Sequence, residues 1–144
     1  MEVRVTHVSG LQFEALARGH RIRCDQPWTL GGEDQGMTPP ELLMASLGTC
    51  AAYYAAEYLR TRRLPVEGLG VQVVAGKAAD PPRLANFRIT VEAPAASDDR
   101  HREGVLRAIK KCLIHNTLLH SPQIEVRIGV PEPDTSPMPV VAAE

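Results

Sequence analysis

Three cysteines, Cys24, Cys50 and Cys112, are the side chains of this 144-residue chain best suited to covalent chemistry. A thiol serves as a nucleophile or redox centre once ionised, as a metal ligand, or as a small buried core group. Cysteine is among the most buried residue types, so each one taken alone reads as core. Cys112 and His115 form a Cys-x-x-His, a spacing that metal sites use, and Cys50 could add a third ligand. No fourth ligand is evident, and His115 fits better at the start of a short helical turn, so neither a metal nor another cofactor is expected. Tyr53, Tyr54 and Tyr58 crowd one segment and are expected to pack rather than to act as acids.

The elements that carry the two later cysteines are well marked. Thr38-Pro39-Pro40-Glu41 combines an N-cap hydroxyl, proline at the first helical position and a glutamate three residues after the cap, which is a capping box. From there Leu43, Leu47, Cys50, Tyr54 and Tyr58 trace one apolar stripe, predicting a helix that ends near Arg62 with Cys50 turned to the core. Ser97, Asp98 or Asp99 can cap a second helix, on which Val105, Leu106, Ile109, Cys112 and Leu113 form the apolar face. A short helical turn around Asn116 to His120 is expected next.

Strands surround these helices. Val3 and Val5 alternate with polar neighbours, Leu11 to Ala17 alternates less cleanly, and Arg21 and Arg23 share the strand face opposite Ile22 and Cys24. A meander of three strands is predicted, followed by a loop over Asp25 to Met37. Two further strands are predicted over Gly70 to Gly76 and Leu84 to Ala93, separated by the turn at Ala79-Asp80-Pro81-Pro82. In the second, Phe87, Ile89 and Val91 alternate with Arg88, Thr90 and Glu92. A last strand is predicted from Ile124 to Val130, also by alternation. The fold class is α+β, with residues 1–130 as one domain and residues 131–144 as a loosely ordered tail.

Composition narrows the function. With 16 Lys+Arg against 17 Asp+Glu and only 4% aromatics, neither nucleic acid nor an anionic membrane is an expected partner. No stretch approaches the roughly 20 apolar residues that span a bilayer, and the start lacks a signal-peptide layout. A cytoplasmic place is expected, where structural disulfides are rare and cysteines are kept for other purposes.

The run Thr38-Pro39-Pro40-Glu41-Leu42-Leu43-Met44-Ala45-Ser46-Leu47-Gly48-Thr49-Cys50 resembles the first cysteine helix of the OsmC/Ohr family. Lys111-Cys112-Leu113-Ile114-His115-Asn116-Thr117-Leu118 is similar to its second motif, except that Leu113 stands where the family commonly has proline. The resemblance extends over roughly Val3 to Val130. It implies antiparallel sheets wrapped around two central helices in an intertwined homodimer, with active sites at the subunit interface. It also implies a thiol-dependent peroxidase that reduces organic hydroperoxides in the response to oxidative stress.

Carried over by position, Cys50 is the attacking thiol and Cys112 the resolving one. Glu41, which already has a structural explanation as the capping partner of Thr38, matches the glutamate that in the family pairs with an arginine beside the reactive sulfur. Arg21 and Arg23 occupy the strand region that supplies this arginine, and the match does not choose between them. Cys50 lies more than two turns inside its helix, too far for the helix N-terminus to stabilise a thiolate, so a cation is required. Leu43, Leu47, Tyr54 and Ile109 would shield the site and favour alkyl substrates by about 0.8 kcal/mol per buried methylene. The implied partners are a small hydroperoxide and a dithiol reductant of lipoyl or thioredoxin-like type. Cys24, outside both motifs, is expected to be an ordinary strand residue. The loosely matched arginine and Leu113 keep two alternatives open: a redox sensor, and an apolar-ligand-binding protein with little turnover.

Overall fold

The chain begins with the predicted meander: β1 (Arg4–Ser9), β2 (Gln12–Ala17) and β3 (His20–Cys24) form an antiparallel sheet in that order. The computed structural model describes residues 1–129. The β2–β3 hairpin closes through Arg18 and Gly19, both at positive φ, a geometry that follows the twist of the flanking strands. Pairing sets Val5 opposite Ala15 and Ala15 opposite Ile22 on one face, and Arg4, Leu16 and Arg21 in a row on the other. Val5 and Ile22 stay 59% and 52% exposed, so the apolar face of this sheet is not covered within one chain.

After β3 the loop is anchored from inside. Asp25 is fully buried, and its carboxylate accepts from the backbone N–H groups of Gln26, Glu33 and Gln35 at 2.7, 3.1 and 3.1 Å. Burial alone would push this carboxyl up, but those three donors and the Gln12 side chain outweigh it and hold Asp25 below its ordinary range. A 3₁₀ turn at Trp28–Leu30 lies inside the loop, which returns to pair Met37 with Cys24. Gly36 must be glycine here, because any Cβ would overlap the Arg23 carbonyl.

Helix α1 (Pro39–Thr61) starts at the predicted capping box: the Thr38 N–H and hydroxyl both donate to Glu41 Oε2 at 2.8 Å. Its buried stripe is Leu47, Ala51, Ala55 and Leu59, one position on from the stripe the large residues suggest. Leu43 is exposed, and Cys50, Tyr54 and Tyr58 flank the seam half-buried. The reason is close approach. Alanines carry little weight in a hydrophobic pattern but let neighbouring elements pack against the helix backbone.

β4 (Gly70–Ala79) and β5 (Pro82–Glu92) make the predicted hairpin, longer at its turn end than the alternation suggests. Phe87, Ile89 and Val91 point inward and alternate with exposed Arg88, Thr90 and Glu92, as expected. Helix α2 (Asp99–Ile109) is capped by Asp98, which accepts from His101 N at 2.7 Å, and it crosses α1 where Gly104 lies against the Tyr58 ring. Ala51, Ala55, Leu59, Ala96, Val105 and Ile109 form the core. Leu106 and Leu113, assigned by pattern to the apolar face of α2, are exposed instead.

A last helix, α3 (Leu113–Leu119), packs on α1. Over residues 121–129 the strand predicted from Ile124 is not formed: they pair with no other described residue, and Ile124, Val126 and Ile128 are exposed. Alternation fixes which side chains share a face but cannot supply the edge a strand must pair with. Val130 and the proposed tail lie outside the described residues. The architecture is α+β, with antiparallel sheets, and no described helix is long and apolar enough to cross a membrane.

A candidate two-thiol site

Cys50 sits half-buried in the middle of α1, and Cys112 is completely buried in the turn between α2 and α3. The sequence pattern places Cys112 on the face of α2, but α2 ends at Ile109. Lys110 caps it, and Cys112 adopts an extended conformation as the N-cap of α3. Its sulfur accepts from the His115 backbone N–H at 3.4 Å. The inward direction read from the spacing survives, because Val105, Ile109 and Cys112 all reach the core although the helix stops between the last two. Leu113 becomes the first residue of α3, the position where proline is best tolerated, so leucine there preserves the turn.

Both thiols are free, and Cys50 lies near enough to Cys112 to help raise its pKa. Burial pushes the Cys112 thiol up, the hydrogen bond with Cys50 adds to this, and the N–H groups of His115 and Ile114 oppose it only partly. Cys112 is therefore held protonated and away from solvent. Cys50, with one side open, is the sulfur a dissolved molecule meets first.

A groove of about 550 Å³ is lined by sequence neighbours of the two cysteines, though by neither cysteine itself. Leu47, one turn before Cys50, and His115, three residues after Cys112, lie on its wall together with Phe87, Leu84, Leu118 and Arg83. The groove is thus built from β5 and α3, where the sequence pointed to Leu43, Leu47, Tyr54 and Ile109. Buried His115 Nδ1 has no hydrogen-bond partner among the described residues. Nor do those residues contain a group of three metal-ligating side chains. Arg83 carried no signal in the sequence, since it follows a Pro-Pro turn like any solvated arginine.

The remaining predicted site residues are elsewhere within one chain. Glu41 lies nine residues before Cys50, about 13 Å along the helix and about 180° around it. Its carboxylate is engaged by the Thr38 N–H and hydroxyl, which hold it below the ordinary range. Arg21 is exposed and paired with Glu14 at 2.8 Å, and Arg23 is exposed on the same sheet face. The N-terminal sheet packs on itself rather than on α1. One chain thus unites Cys50 with Cys112 but not with Arg21, Arg23 or Glu41. Cys24 is a buried residue at the end of β3.

Solved structures share this fold. A protein of Psychrobacter arcticus, described as osmotic stress induced and of the detoxification response, superposes with a TM-score of 0.73 at 22% identity, over 80% of this chain and 85% of that one. An OsmC-like protein of Mycoplasma pneumoniae gives 0.63 at 20% identity, over 84% and 89%. An organic hydroperoxide resistance protein OsmC of Legionella pneumophila gives 0.57 at 16% identity, over 82% and 89%. No curated protein matches significantly in sequence. The profile of the OsmC-like proteins matches residues 32–127, a span that holds both cysteines and most of the folded chain. The chain belongs to the OsmC-like protein family.

Proposed function

We propose that the protein is a two-cysteine thiol peroxidase acting on organic hydroperoxides. The observation that carries this reading is a half-buried Cys50 near enough to a fully buried Cys112 to help raise its pKa. The Cys50 thiolate attacks the outer peroxide oxygen. The O–O bond breaks, the alkoxide leaves as alcohol after taking up a proton, and Cys50 becomes a sulfenic acid. The Cys112 sulfur then displaces the sulfenic oxygen, which leaves as water, and a disulfide forms. Two electrons from a dithiol of lipoyl or thioredoxin-like type restore both thiols.

The groove lined by Leu84, Phe87 and Leu118 suits an alkyl chain lying beside Cys50. The names borne by the structural neighbours from Legionella and Psychrobacter, which refer to hydroperoxide resistance and detoxification, support the same reading. Within one chain neither Arg21 nor Arg23 reaches Cys50, because their sheet does not pack on α1. In our reading a second copy covers the bare face of β1–β3 and the segment Ile124 to Ile128, and brings Arg21 or Arg23 to the thiol as part of a homodimer. There the guanidinium stabilises the thiolate and the departing oxygen. Glu41, engaged with Thr38, takes a part only if it is released to that arginine.

The test is the intact mass of the reduced protein before and after one equivalent of cumene hydroperoxide. The parent should lose two hydrogens, Cys112→Ser should gain one oxygen, and Cys50→Ser should not react. A parent that stays reduced while a generic small thiol is oxidised removes the peroxidase reading. The size of the apolar groove would then favour a ligand-binding protein.

A further inference from the structure

Away from the thiols, the C-terminal end of α1 and one side of α2 enclose a second cleft, of about 420 Å³. Tyr58 and Arg62 line it from α1, and Arg100, Gly104, Arg107 and Lys111 line it from α2 and the turn that follows. Arg100, Gly104 and Arg107 recur at intervals of four and three, so they form one stripe along the helix, and Lys111 follows in the turn beyond it. Four cations thus converge in a chain whose formal charge is -1.

Most of these charges are not neutralised. Arg107 pairs with Glu103 at 3.2 Å, but no ion pair among the described residues involves Arg62, Arg100 or Lys111. The floor is fixed. Tyr58 rests on the α2 backbone because a Cβ at Gly104 would overlap its ring, and its hydroxyl shares a 3.1 Å hydrogen bond with His101 Nδ1. The Arg62 guanidinium sits 5.1 Å from the centre of the same ring.

Cations near the end of a helix are favoured by its dipole, and this alone accounts for Arg62, Arg107 and Lys111. It does not account for Arg100. That residue is the second of α2, where the dipole opposes a positive charge, and the adjacent carboxylates are committed elsewhere. Asp98 accepts from His101 N at 2.7 Å, and Asp99 pairs with Arg102 at 3.4 Å.

We propose that this cleft binds a small ligand carrying two or more phosphoryl groups. Guanidinium forks match phosphoryl oxygens two at a time, and Arg62 and Arg100, carried by two helices packed on each other, give a binding frame that exists before the ligand arrives. Arg100 and Arg107 are separated by about 10 Å in helix rise, more than one phosphate bridges. The site does not depend on the thiol chemistry.

The experiment is calorimetric titration of the full-length protein at low ionic strength, with sodium tripolyphosphate, orthophosphate and a nucleoside triphosphate as probes. Saturable one-to-one binding of tripolyphosphate is expected, about tenfold or more tighter than orthophosphate. The double variant Arg100→Gln/Lys111→Gln should lose about tenfold or more, and salt should weaken the parent. A control pair on the hairpin, Lys77→Gln/Arg88→Gln, should bind like the parent. Arg100→Gln alone, at an exposed position, gives the same direction of loss should the double variant fold poorly. A nucleoside triphosphate that binds tighter than tripolyphosphate identifies a base among the groups recognised; equal binding identifies the phosphates as sufficient. Absence of saturable binding, or equal losses in the control pair, overturns the proposal.

Discussion

The burial of Cys112 sets the pace of disulfide closure. Closure requires the Cys112 thiolate, and an ordinary thiol with a pKa near 8.5 is only about 3% ionised at pH 7. Burial lifts Cys112 above that range, so its ionised fraction at neutral pH is smaller still. Oxidation of Cys50 removes the charge that contributes to the shift but leaves burial, the largest cause, in place. While pH stays below the Cys112 pKa, each unit multiplies the thiolate about tenfold, so closure should accelerate by about a hundredfold between pH 6 and pH 8. The assay is a single turnover: excess cumene hydroperoxide is mixed with reduced protein, then quenched at intervals, and the sulfenic acid and the disulfide are resolved by mass. A closure rate that is flat across this range would mean that Cys112 is already ionised, and would refute the assignment of a buried, protonated resolving thiol.

Four further outcomes follow from the packing. Leu59, 1% exposed in the core near the C-terminal end of α1, should cost about 2–5 kcal/mol as Leu59→Ala, read as a lower urea midpoint at unchanged slope. Gly104→Ala drives a methyl group into the Tyr58 ring and should cost about 1–3 kcal/mol in thermal unfolding. Asp25 has a folded pKa below its unfolded one, so its contribution is complete above about pH 4 and is lost as pH falls through the lower folded value. Asp25→Asn should therefore flatten the acid limb of a stability-against-pH curve, and an unchanged limb would exclude Asp25 as its source. On the proposed homodimer, Val126→Asp combined with Ile128→Asp should shift sedimentation from dimer to monomer; a dimeric parent whose variant sediments alike would exclude this segment from the interface, and a monomeric parent would remove the homodimer.

Much of the fold was legible because local chemistry dictated it. The capping box marked the start of α1 to the residue, Asp98 was among the three caps proposed for α2, and the alternation around Ile89 fixed the inner face of β5. Other features depend on contacts that no window of sequence contains. Ala51 and Ala55 centre the α1 seam because small residues admit close neighbours, which a pattern of large side chains cannot register. The break before Cys112 arises because its sulfur caps the next helix, a role cysteine seldom fills and pattern reading does not look for. Ile124, Val126 and Ile128 alternate like a strand but find no edge within the chain. For the site, both thiols and their convergence were visible from the motifs. The groove wall at Phe87 and Arg83 was not, since β5 and α3 meet only in three dimensions.

The sulfur that caps α3 also ties redox state to mechanics. As a thiol, Cys112 receives the His115 N–H and holds the first turn of the seven-residue α3. Drawn into a bond with Cys50, the same sulfur must turn toward α1, and the cap slackens. α3 carries His115, Leu118 and Leu119, one whole bank of the groove. In the proposed cycle, disulfide formation would therefore loosen one wall of the groove, easing the exit of the alcohol and opening the disulfide to its reductant. Linkage makes the relation reciprocal: a ligand that clamps α3 favours the reduced form. Amide exchange over residues 113–119 should be faster in the oxidised protein than in the reduced one, and equal protection would separate the cap from the cycle.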